Sequence, residues 1–192
     1  LEGYEPTPVH SLNGLAKKLG IGSVYVKDES FRFGVKAFKT LGASYTIYRF
    51  LKSKWEDSFP SEFTVSDFKN PEKMHQLGAF TFCAATDGNH GRAVAWTARI
   101  LKQNAVIYMP ANTVASRIKN IESEGARVVL IDGTFDECVS HADADAKANG
   151  WIIISDTAYP GYMFYPQFIM AGYSTIFHEM DNIVTMPSFC KA

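Results

Sequence analysis

The sequence that decides the fold runs from residue 79 to residue 91 and reads Ala-Phe-Thr-Phe-Cys-Ala-Ala-Thr-Asp-Gly-Asn-His-Gly. Its first seven residues form an apolar run of strand length, which is typical of a strand buried on both faces. The polar residues and glycines that follow predict a turn, and a helical pattern continues from there to Leu101. A strand, a turn and a helix in this order indicate the start of a βαβ unit.

This alternation of strand and helix repeats further along the chain. Apolar runs predict strands at residues 79–85, 105–109, 127–131 and 151–155. Apolar residues at helical spacing predict helices at 113–124 and 134–149, each followed by a glycine. Strands that alternate with helices build a parallel sheet, so the predicted fold class is α/β, with helices on both faces of the sheet.

The other segments are less regular. We predict an extended segment at residues 7–12, a short helix at 13–19 and a strand at 23–27. A long loop with short helical pieces is predicted at 53–78, and a final helix at 169–180. A longer helix is predicted to begin near Phe38 or Lys39, because apolar residues recur at spacings of three and four from Leu41 to Trp55.

The composition is that of a globular protein with balanced charge. The 192 residues are 46% apolar and 20% charged, and the formal net charge is −1. This balance argues against a nucleic-acid binder. No apolar run approaches the roughly 18 residues that a membrane-spanning helix needs. The chain opens with Leu-Glu-Gly-Tyr, without an initiator Met or a signal-peptide core, so we expect residues to be missing upstream.

The cysteines show no spacing that indicates a disulfide or a metal site. Cys83, Cys138 and Cys190 are far apart, and none lies in a cluster with histidines. Sparse, unpaired cysteines predict a reducing compartment, and hence a cytoplasmic location. Cys83 lies within an apolar run and is predicted to be part of the core.

The first candidate for chemistry is Lys39, which follows Phe38 at a predicted helix start. The positive end of the helix dipole disfavours an ammonium there. An amine in such a place is deprotonated more easily and suits Schiff-base chemistry. A lysine whose head is simply in solvent is the alternative, and the residue alone does not exclude it.

The second candidate is the turn at residues 86–91, at the carboxyl end of a predicted strand. Ligands of open parallel sheets bind at this edge, where glycines allow a close approach and helix-start N–H groups attract oxyanions. Asn89 can donate a hydrogen bond to a phenolate oxygen. A purely structural turn remains an alternative. A nucleotide-binding domain is disfavoured, because neither the Walker pattern nor the Gly-x-Gly-x-x-Gly spacing is present.

Two aspartates are the third candidate, since both follow predicted strands. Asp87 and Asp156 lie at the carboxyl ends of strands that share one sheet edge, so both side chains can point into one crevice. For Asp156 the alternative is a helix N-cap or an Asx-turn. Glu29, also at a strand end, is either a buried ion-pair partner or an exposed loop carboxylate, and the exposed carboxylate is favoured. His90 is interpreted as a packing or hydrogen-bonding residue.

Together, these motifs resemble the fold-type II enzymes of pyridoxal phosphate, the class of the tryptophan synthase β-subunit. The resemblance rests, in chain order, on Thr-Pro at 7–8, Lys-Asp-Glu-Ser at 27–30, Phe-Lys at 38–39 and the Thr-x-Gly-Asn turn at 86–89. Finer motifs are similar to those of the ammonia-lyases that act on 2,3-diaminopropionate, and they lie at residues 32–34, 37–39, 85–92, 94–96, 104–110 and 156–158. Relatives that act on serine or threonine usually carry a small neutral residue at the position of Asp87.

The resemblance implies pyridoxal 5′-phosphate as the cofactor and an α,β-elimination that converts 2,3-diaminopropionate to pyruvate and ammonia. The residues that it places at the cofactor are Lys39, Asn89, Gly88 and Phe38. It implies that Lys39 is the base for the L-isomer and Asp87 the base for the D-isomer, on opposite faces. Asp156 is then the partner or acid of the β-amine. No metal is implied.

The resemblance also implies a division into domains. Residues 1–36 correspond to part of a large domain, 37–158 to the small α/β domain, and 159–192 to an incomplete return to the large domain. Family chains are longer, and their phosphate-binding loop and the group that faces the pyridine nitrogen follow the position where this chain ends. We therefore expect a truncated enzyme, and a homodimer that takes a small amino-acid substrate. The alternatives are a non-catalytic fragment and a serine/threonine dehydratase-like enzyme, against which Asp87 argues.

Overall fold

The computed structural model describes residues 1, 3–159 and 161–181. Its strands are β1 (Val9–Ser11), β2 (Tyr25–Lys27), β3 (Thr81–Ala85), β4 (Asn104–Pro110), β5 (Arg127–Ile131) and β6 (Ile152–Ile153). Its α-helices are α1 (Asn13–Leu19), α2 (Lys39–Ser58), α3 (Pro71–Leu77), α4 (Asn89–Ile100), α5 (Ala115–Glu122), α6 (Phe135–Asn149) and α7 (Phe164–Met180). Two 3-10 helices lie at Glu29–Gly34 and Val65–Lys69.

The central sheet has four strands in the order β5-β4-β3-β6, and every neighbouring pair is parallel. The register places Cys83 of β3 opposite Val106 of β4 and Ile153 of β6. The chain moves from β3 outward to β5 and then crosses back to form β6 on the other side of β3. The predicted parallel sheet is therefore confirmed, and its topological switch point lies between β3 and β6.

Helices cover both faces of the sheet, as predicted. Right-handed crossovers place the helices of the outward path on one face and the helix of the return path on the other. Phe82 and Ile107 accordingly pack in the cluster that contains α4, whereas Cys83 and Tyr108 pack against α6. Side chains alternate along a strand, so successive residues of β3 and β4 serve opposite cores. Cys83 is fully buried, which confirms its assignment to the core.

A close contact between two helices joins α7 to α2. A Cβ atom on Gly172 would lie 2.7 Å from the Cα atom of Gly42, and closer still to the Leu41 carbonyl oxygen. A Cβ atom on Gly42 would lie 2.6 Å from the ring of Tyr173 and 2.7 Å from the side chain of Ile169. The two glycines therefore allow the helix backbones to approach each other directly.

Several boundaries differ from the prediction. Helix α2 begins at Lys39 as expected but continues to Ser58, so the loop prediction for 53–78 is wrong over residues 53–58. Trp55 explains the extension, because it is 2% exposed and continues the apolar face of the helix by one more turn. Helix α7 begins before the predicted 169–180 segment, and β6 has only two residues. Strands β1 and β2 form an antiparallel pair, which was not predicted.

A buried charged cluster joins the N-terminal segment to the end of α7. The Arg32 guanidinium pairs with Glu29 and with Glu179, each at 2.8 Å, and its side chain is fully buried. Lys27 Nζ lies 2.5 Å from Glu179 Oε2, and the Thr7 hydroxyl donates to Glu29 at 2.6 Å. The interpretation of Glu29 as an exposed carboxylate is therefore wrong, because one turn of 3-10 helix brings it beside Arg32. We call these five residues the Arg32 cluster.

Some predictions concern residues that the structure does not describe. Cys190 and residues 182–192 of the predicted return segment lie outside the described residues, as does Pro160. Cys83 and Cys138 are both free thiols.

Candidate functional site

A cleft of about 330 Å³ opens at the carboxyl edge of the sheet, next to the switch point. Its walls come from the start of α2, the turn after β3, α5, the start of α6 and the segment after β6. The lining residues are Lys39, Ala85, Thr86, Asp87, Gly88, Asn89, His90, Arg117, Phe135 and Asp156. Both the volume and the position are typical of small-molecule sites in open α/β sheets.

Lys39 is the first residue of α2, and its amine reaches into this cleft. Its Nζ atom donates to Asp156 Oδ2 at 2.6 Å, and 28% of its side chain is exposed. The ring centroids of Phe38 and Tyr173 lie 5.2 and 5.4 Å from the same nitrogen. Phe38 thus borders Lys39 without lining the cleft itself. Lys39 is therefore an ion-paired lysine with aromatic neighbours rather than one whose head is simply in solvent.

The turn after β3 is held by a single hydroxyl group. Thr86 Oγ1 accepts hydrogen bonds from the backbone N–H groups of Gly88 at 3.0 Å and Gly91 at 3.2 Å. A Cβ atom on Gly91 would collide with Thr86 and lie 2.7 Å from the side chain of Ile107, so only glycine fits there. The turn thereby directs Asp87 and Asn89 outward, and both are exposed.

Arg117 of α5 supports the turn from outside. Its Nη1 atom donates to the backbone carbonyl of Asp87 at 2.9 Å. The Arg117 side chain also packs beside the Gly88 backbone, since a Cβ atom built on Gly88 would lie 3.6 Å from it. Together these contacts hold the backbone from which the Asp87 carboxylate extends.

Asp156 reaches the cleft because β6 pairs with β3, which places the residues that follow the two strands side by side. It caps no helix, since α7 begins only at Phe164, so the N-cap alternative is wrong. Burial alone would raise the pKa of the Asp156 carboxyl, but His90 and Lys39 outweigh it and lower this pKa below the ordinary value. Asp156 is therefore a carboxylate at neutral pH.

His90 is buried beneath the cleft and contacts the same carboxylate. Its Nε2 atom is 2.7 Å from the Ile154 carbonyl oxygen, and its Nδ1 atom is 3.7 Å from Asp156 Oδ2. Burial lowers the pKa of the imidazole, and the neighbouring Asp156 carboxylate opposes part of this effect. The interpretation of His90 as a hydrogen-bonding residue is confirmed, whereas its proximity to Asp156 was not predicted.

Two buried polar atoms near Lys39 have no hydrogen-bond partner among the described residues, namely His90 Nδ1 and Tyr173 Oη. The Tyr173 ring packs edge-on against Phe38, with ring centroids 5.0 Å apart. Burial raises the pKa of Tyr173, so its phenol is a protonated donor at neutral pH. Buried polar atoms are normally hydrogen-bonded. Orphan atoms beside an amine therefore indicate room for a polar ligand.

The structure brings together most of the residues that the sequence singled out. Lys39, Asp87, Gly88, Asn89 and Asp156 all line one cleft, and Phe38 stands at its border. Three residues were missed, namely Arg117, Phe135 and Tyr173. No sequence signal marks them, because each comes from an element whose position depends on how the helices pack around the sheet.

Other classes of site find no support in the part of the chain that the structure describes. Its His, Cys, Asp and Glu side chains form no group of three or more that could hold a metal ion. None of its helices combines the length and apolar character needed to cross a membrane.

Comparison with known proteins gives a consistent result. The family model described as "Pyridoxal-phosphate dependent enzyme" matches residues 1–188. The diaminopropionate ammonia-lyase of Salmonella typhimurium is 41% identical over 176 residues, which are 92% of this chain and 43% of that protein. The enzyme of the same name from Escherichia coli K12 is 41% identical over 181 residues, which are 93% of this chain and 44% of that protein.

A solved structure agrees with this similarity. The crystal structure of the Escherichia coli diaminopropionate ammonia lyase in complex with D-serine superimposes with a TM-score of 0.87 and 38% sequence identity. The match covers 98% of this chain and 48% of that chain. The chain thus spans less than half the length of these relatives from Salmonella typhimurium and Escherichia coli.

Proposed function

Because the chain belongs to the pyridoxal-phosphate dependent enzymes, we propose that its cleft binds pyridoxal phosphate and that the protein removes ammonia from 2,3-diaminopropionate. One observation carries the proposal: the Lys39 amine, the Asn89 amide and the carboxylates of Asp87 and Asp156 meet in a single cleft at the sheet's switch point.

The residues around Lys39 suit the cofactor. Lys39 would hold it through the amine, and Asn89, exposed at the first position of α4, would donate to its phenolate oxygen. Phe38 and the backbone of Gly88 would flank the ring, and the orphan Tyr173 hydroxyl offers a further donor. When bound, pyridoxal phosphate supplies an electron sink for the carbanion left by loss of an α-proton.

The two aspartates suit a substrate with two amines. The Asp156 carboxylate would pair with the β-ammonium, take one proton from it and give the same proton back as the β-amine leaves as ammonia. The Lys39 amine would take the α-proton of the L-isomer, and the Asp87 carboxylate that of the D-isomer from the opposite side. Diaminopropionate would thus yield pyruvate and ammonia. An amino acid with a neutral side chain, such as serine, has no second ammonium group to pair with a second carboxylate. The two aspartates therefore disfavour the dehydratase alternative.

The proposal also assigns the domains, the oligomeric state and the location of this chain. We assign residues 1–36 and 159–192 to a large domain and 37–158 to the small α/β domain, with the remaining family elements outside this sequence. The working form in this proposal is a cytoplasmic homodimer that binds a small amino acid. Cys83 and Cys138, the two cysteines among the described residues, are free thiols, which agrees with a reducing compartment. Sedimentation of the purified protein tests the dimer.

The visible spectrum of the protein mixed with pyridoxal phosphate tests the cofactor. We expect a new absorbance band that Lys39→Ala abolishes and that Lys119→Ala, an exposed lysine of α5, leaves unchanged. The absence of this band in the parent protein would contradict the assignment of the cofactor to the cleft.

Pyruvate release from D- and L-2,3-diaminopropionate tests the reaction. Release from both isomers, with little from serine, is the expected result. An absorbance band without turnover of any amino acid would favour the non-catalytic fragment. Turnover of serine or threonine in preference to diaminopropionate would favour the dehydratase.

A further inference from the structure

Strand β6 has β3 on one side and no neighbouring strand among the described residues on the other. The N–H of Ile154 faces β3 and donates to the Cys83 carbonyl at 2.8 Å, and the Ile154 carbonyl lies 2.7 Å from His90 Nε2. Backbone groups of successive residues alternate in direction, so the Ile153 carbonyl and the Ser155 N–H point to the outer side. An edge strand leaves such groups without a strand partner.

The Tyr162 phenol lies on this outer side and satisfies both groups. Its Oη atom accepts a hydrogen bond from the Ser155 N–H at 2.9 Å and donates one to the Ile153 carbonyl at 2.9 Å. Burial raises the pKa of this phenol, so the proton that the second bond needs is retained at neutral pH. One hydroxyl group thus makes two bonds of the kind that a neighbouring strand would make.

The neighbours of the Tyr162 ring fix its position. The ring stacks on Tyr159 with centroids 4.9 Å apart, and the Tyr165 ring centroid lies 5.9 Å away. The backbone N–H of Tyr162 also donates to the Tyr159 carbonyl at 2.8 Å. The turn before α7 therefore holds the phenol at the edge of β6.

The bonds of Tyr162 act on the backbone that carries Asp156. Ser155, whose N–H is held by Tyr162, also binds the residue after Asp156. Its Oγ atom donates to the Thr157 carbonyl and accepts from the Thr157 N–H, each at 3.2 Å. Asp156 lies between these two linked residues, and its carboxylate accepts from Lys39 Nζ at 2.6 Å.

We infer that Tyr162 is a positioning residue, which replaces a neighbouring strand at the edge of β6 and so directs the Asp156 carboxylate into the cleft. Tyr162 does not line the cleft, so it acts through Asp156. The effect on the reaction rests on the proposed function, in which Asp156 pairs with the β-amine of the substrate. Such positioning matters because a displacement of about 1 Å can cost about 100-fold in rate.

Carbon NMR of the aspartate carboxyls, in protein free of pyridoxal phosphate, tests the positioning itself. The Asp156 signal is identified by its loss in Asp156→Asn. In the parent, His90 and Lys39 outweigh the effect of burial and hold the pKa of Asp156 below its ordinary value. Tyr162→Phe removes only the hydroxyl. We expect it to raise the pKa of Asp156 by about one unit, because the carboxylate withdraws from Lys39. An unchanged titration of Asp156 would overturn the inference.

Tyr159→Phe is the matched control. Tyr159 stacks on the same ring, but its hydroxyl takes no part in the bonds to β6. This variant should leave the titration of Asp156 at its parent value. A rise in the pKa of Asp156 as large as that in Tyr162→Phe would contradict a specific role of the Tyr162 hydroxyl.

Hydrogen exchange of the parent protein decides the case in which Tyr162→Phe does not fold. The Ser155 amide is at the outer edge of the sheet, and its hydrogen bond goes to Tyr162. We expect this amide to exchange slowly. Exchange at the rate of an unprotected amide would overturn the inference.

Kinetics of Tyr162→Phe supply the functional measurement. In the proposed function Asp156 serves both isomers of diaminopropionate, whereas Asp87 serves only the D-isomer. We expect kcat to fall by a similar factor for both isomers, roughly 10- to 100-fold, with the cofactor absorbance retained because Lys39 is intact. Parent kcat for both isomers, or a loss confined to one, would contradict the inference. If the parent protein does not act on diaminopropionate, the proposed function fails, whereas the titration and the hydrogen exchange still decide whether Tyr162 positions Asp156.

Discussion

Asp87 lies in the cleft with an exposed side chain, and only its backbone is held in place, by Arg117. Its carboxylate is therefore free to meet a substrate and is not needed to hold the turn. We expect Asp87→Asn to abolish turnover of D-2,3-diaminopropionate, with a loss of about 10²- to 10⁴-fold in rate. The cofactor absorbance and the turnover of the L-isomer should be largely retained, because both depend on Lys39. Steady-state kinetics with each isomer measure this.

Asp132→Asn is the matched control for this prediction. Asp132 is also an exposed aspartate immediately after a parallel strand, but it does not line the cleft. The Asp132→Asn variant should turn over both isomers of 2,3-diaminopropionate at the parent rate. If Asp87→Asn behaved in the same way, the assignment to diaminopropionate would be withdrawn. The broader pyridoxal-phosphate assignment, which rests on Lys39, Asn89 and the family, would remain.

The sequence predicted single site residues better than it predicted their contacts. Lys39, Asp87 and Asn89 were recognisable because a helix start and a glycine turn are local features. The contact between His90 and Asp156 was not recognisable, since it depends on β6 pairing beside β3, and these residues are 66 positions apart in the sequence. Glu29 was misjudged for a related reason: its partner Arg32 is close in sequence, but Arg32 is buried against Glu179, which lies on α7.

Helices α2 and α7 depend on the absence of a side chain at Gly172. A Cβ atom there would press against the Leu41 carbonyl and the Gly42 Cα atom, both of which belong to rigid helix backbone. We expect Gly172→Ala to lower the free energy of unfolding by roughly 1–3 kcal/mol, despite the better helix propensity of alanine. Urea denaturation followed by circular dichroism measures this difference.

Gly14→Ala tests whether the effect comes from the contact between the helices. Gly14 lies in α1, and a Cβ atom there would meet nothing within 4 Å. Helix propensity alone then predicts no loss, or a gain of up to about 1 kcal/mol. Equal unfolding free energies in the two variants would show that α2 and α7 do not need the glycine.

Element boundaries were predictable where a turn residue ends an apolar run. Helix α6 ends at Asn149 because Gly150 adopts a φ of 70°, the left-handed conformation that glycine favours. The prediction placed Trp55 on the apolar face of α2, but the prolines and mixed charges after residue 53 favoured a loop that overlapped the helix over residues 53–58. Strand β6 has only two residues, and it pairs only with β3 among the strands that the structure describes.

At the scale of the whole molecule, strand order positions the site. The spacing of the strands predicted a parallel sheet, but several orders satisfy that spacing. In the observed order β6 lies beside β3, which brings Asp156 to the turn that carries Asp87.

The Arg32 cluster links the two ends of the described chain, and it makes stability depend on pH. Burial alone would raise the pKa of Glu179, but hydrogen bonds from Arg32, Lys27 and Tyr4 outweigh it and lower this pKa to about 2. An unfolded glutamate has a pKa of about 4.3. The folded state therefore gains stability from ionised Glu179 above about pH 4.3 and loses it as the pH falls toward 2.

Glu179→Gln should remove this pH-dependent contribution and leave Arg32 with too little compensating charge. Arg32 is fully buried, so we expect the free energy of unfolding near pH 7 to fall by roughly 3–5 kcal/mol. The parent should lose much of that advantage over the variant between about pH 4.3 and pH 2, because its own Glu179 becomes protonated there. Urea denaturation across this range measures the convergence, with Glu122→Gln, an exposed glutamate of α5, as the control. Parallel stability curves for the parent and Glu179→Gln would mean that the cluster does not tie the N-terminal segment to α7 through this carboxylate.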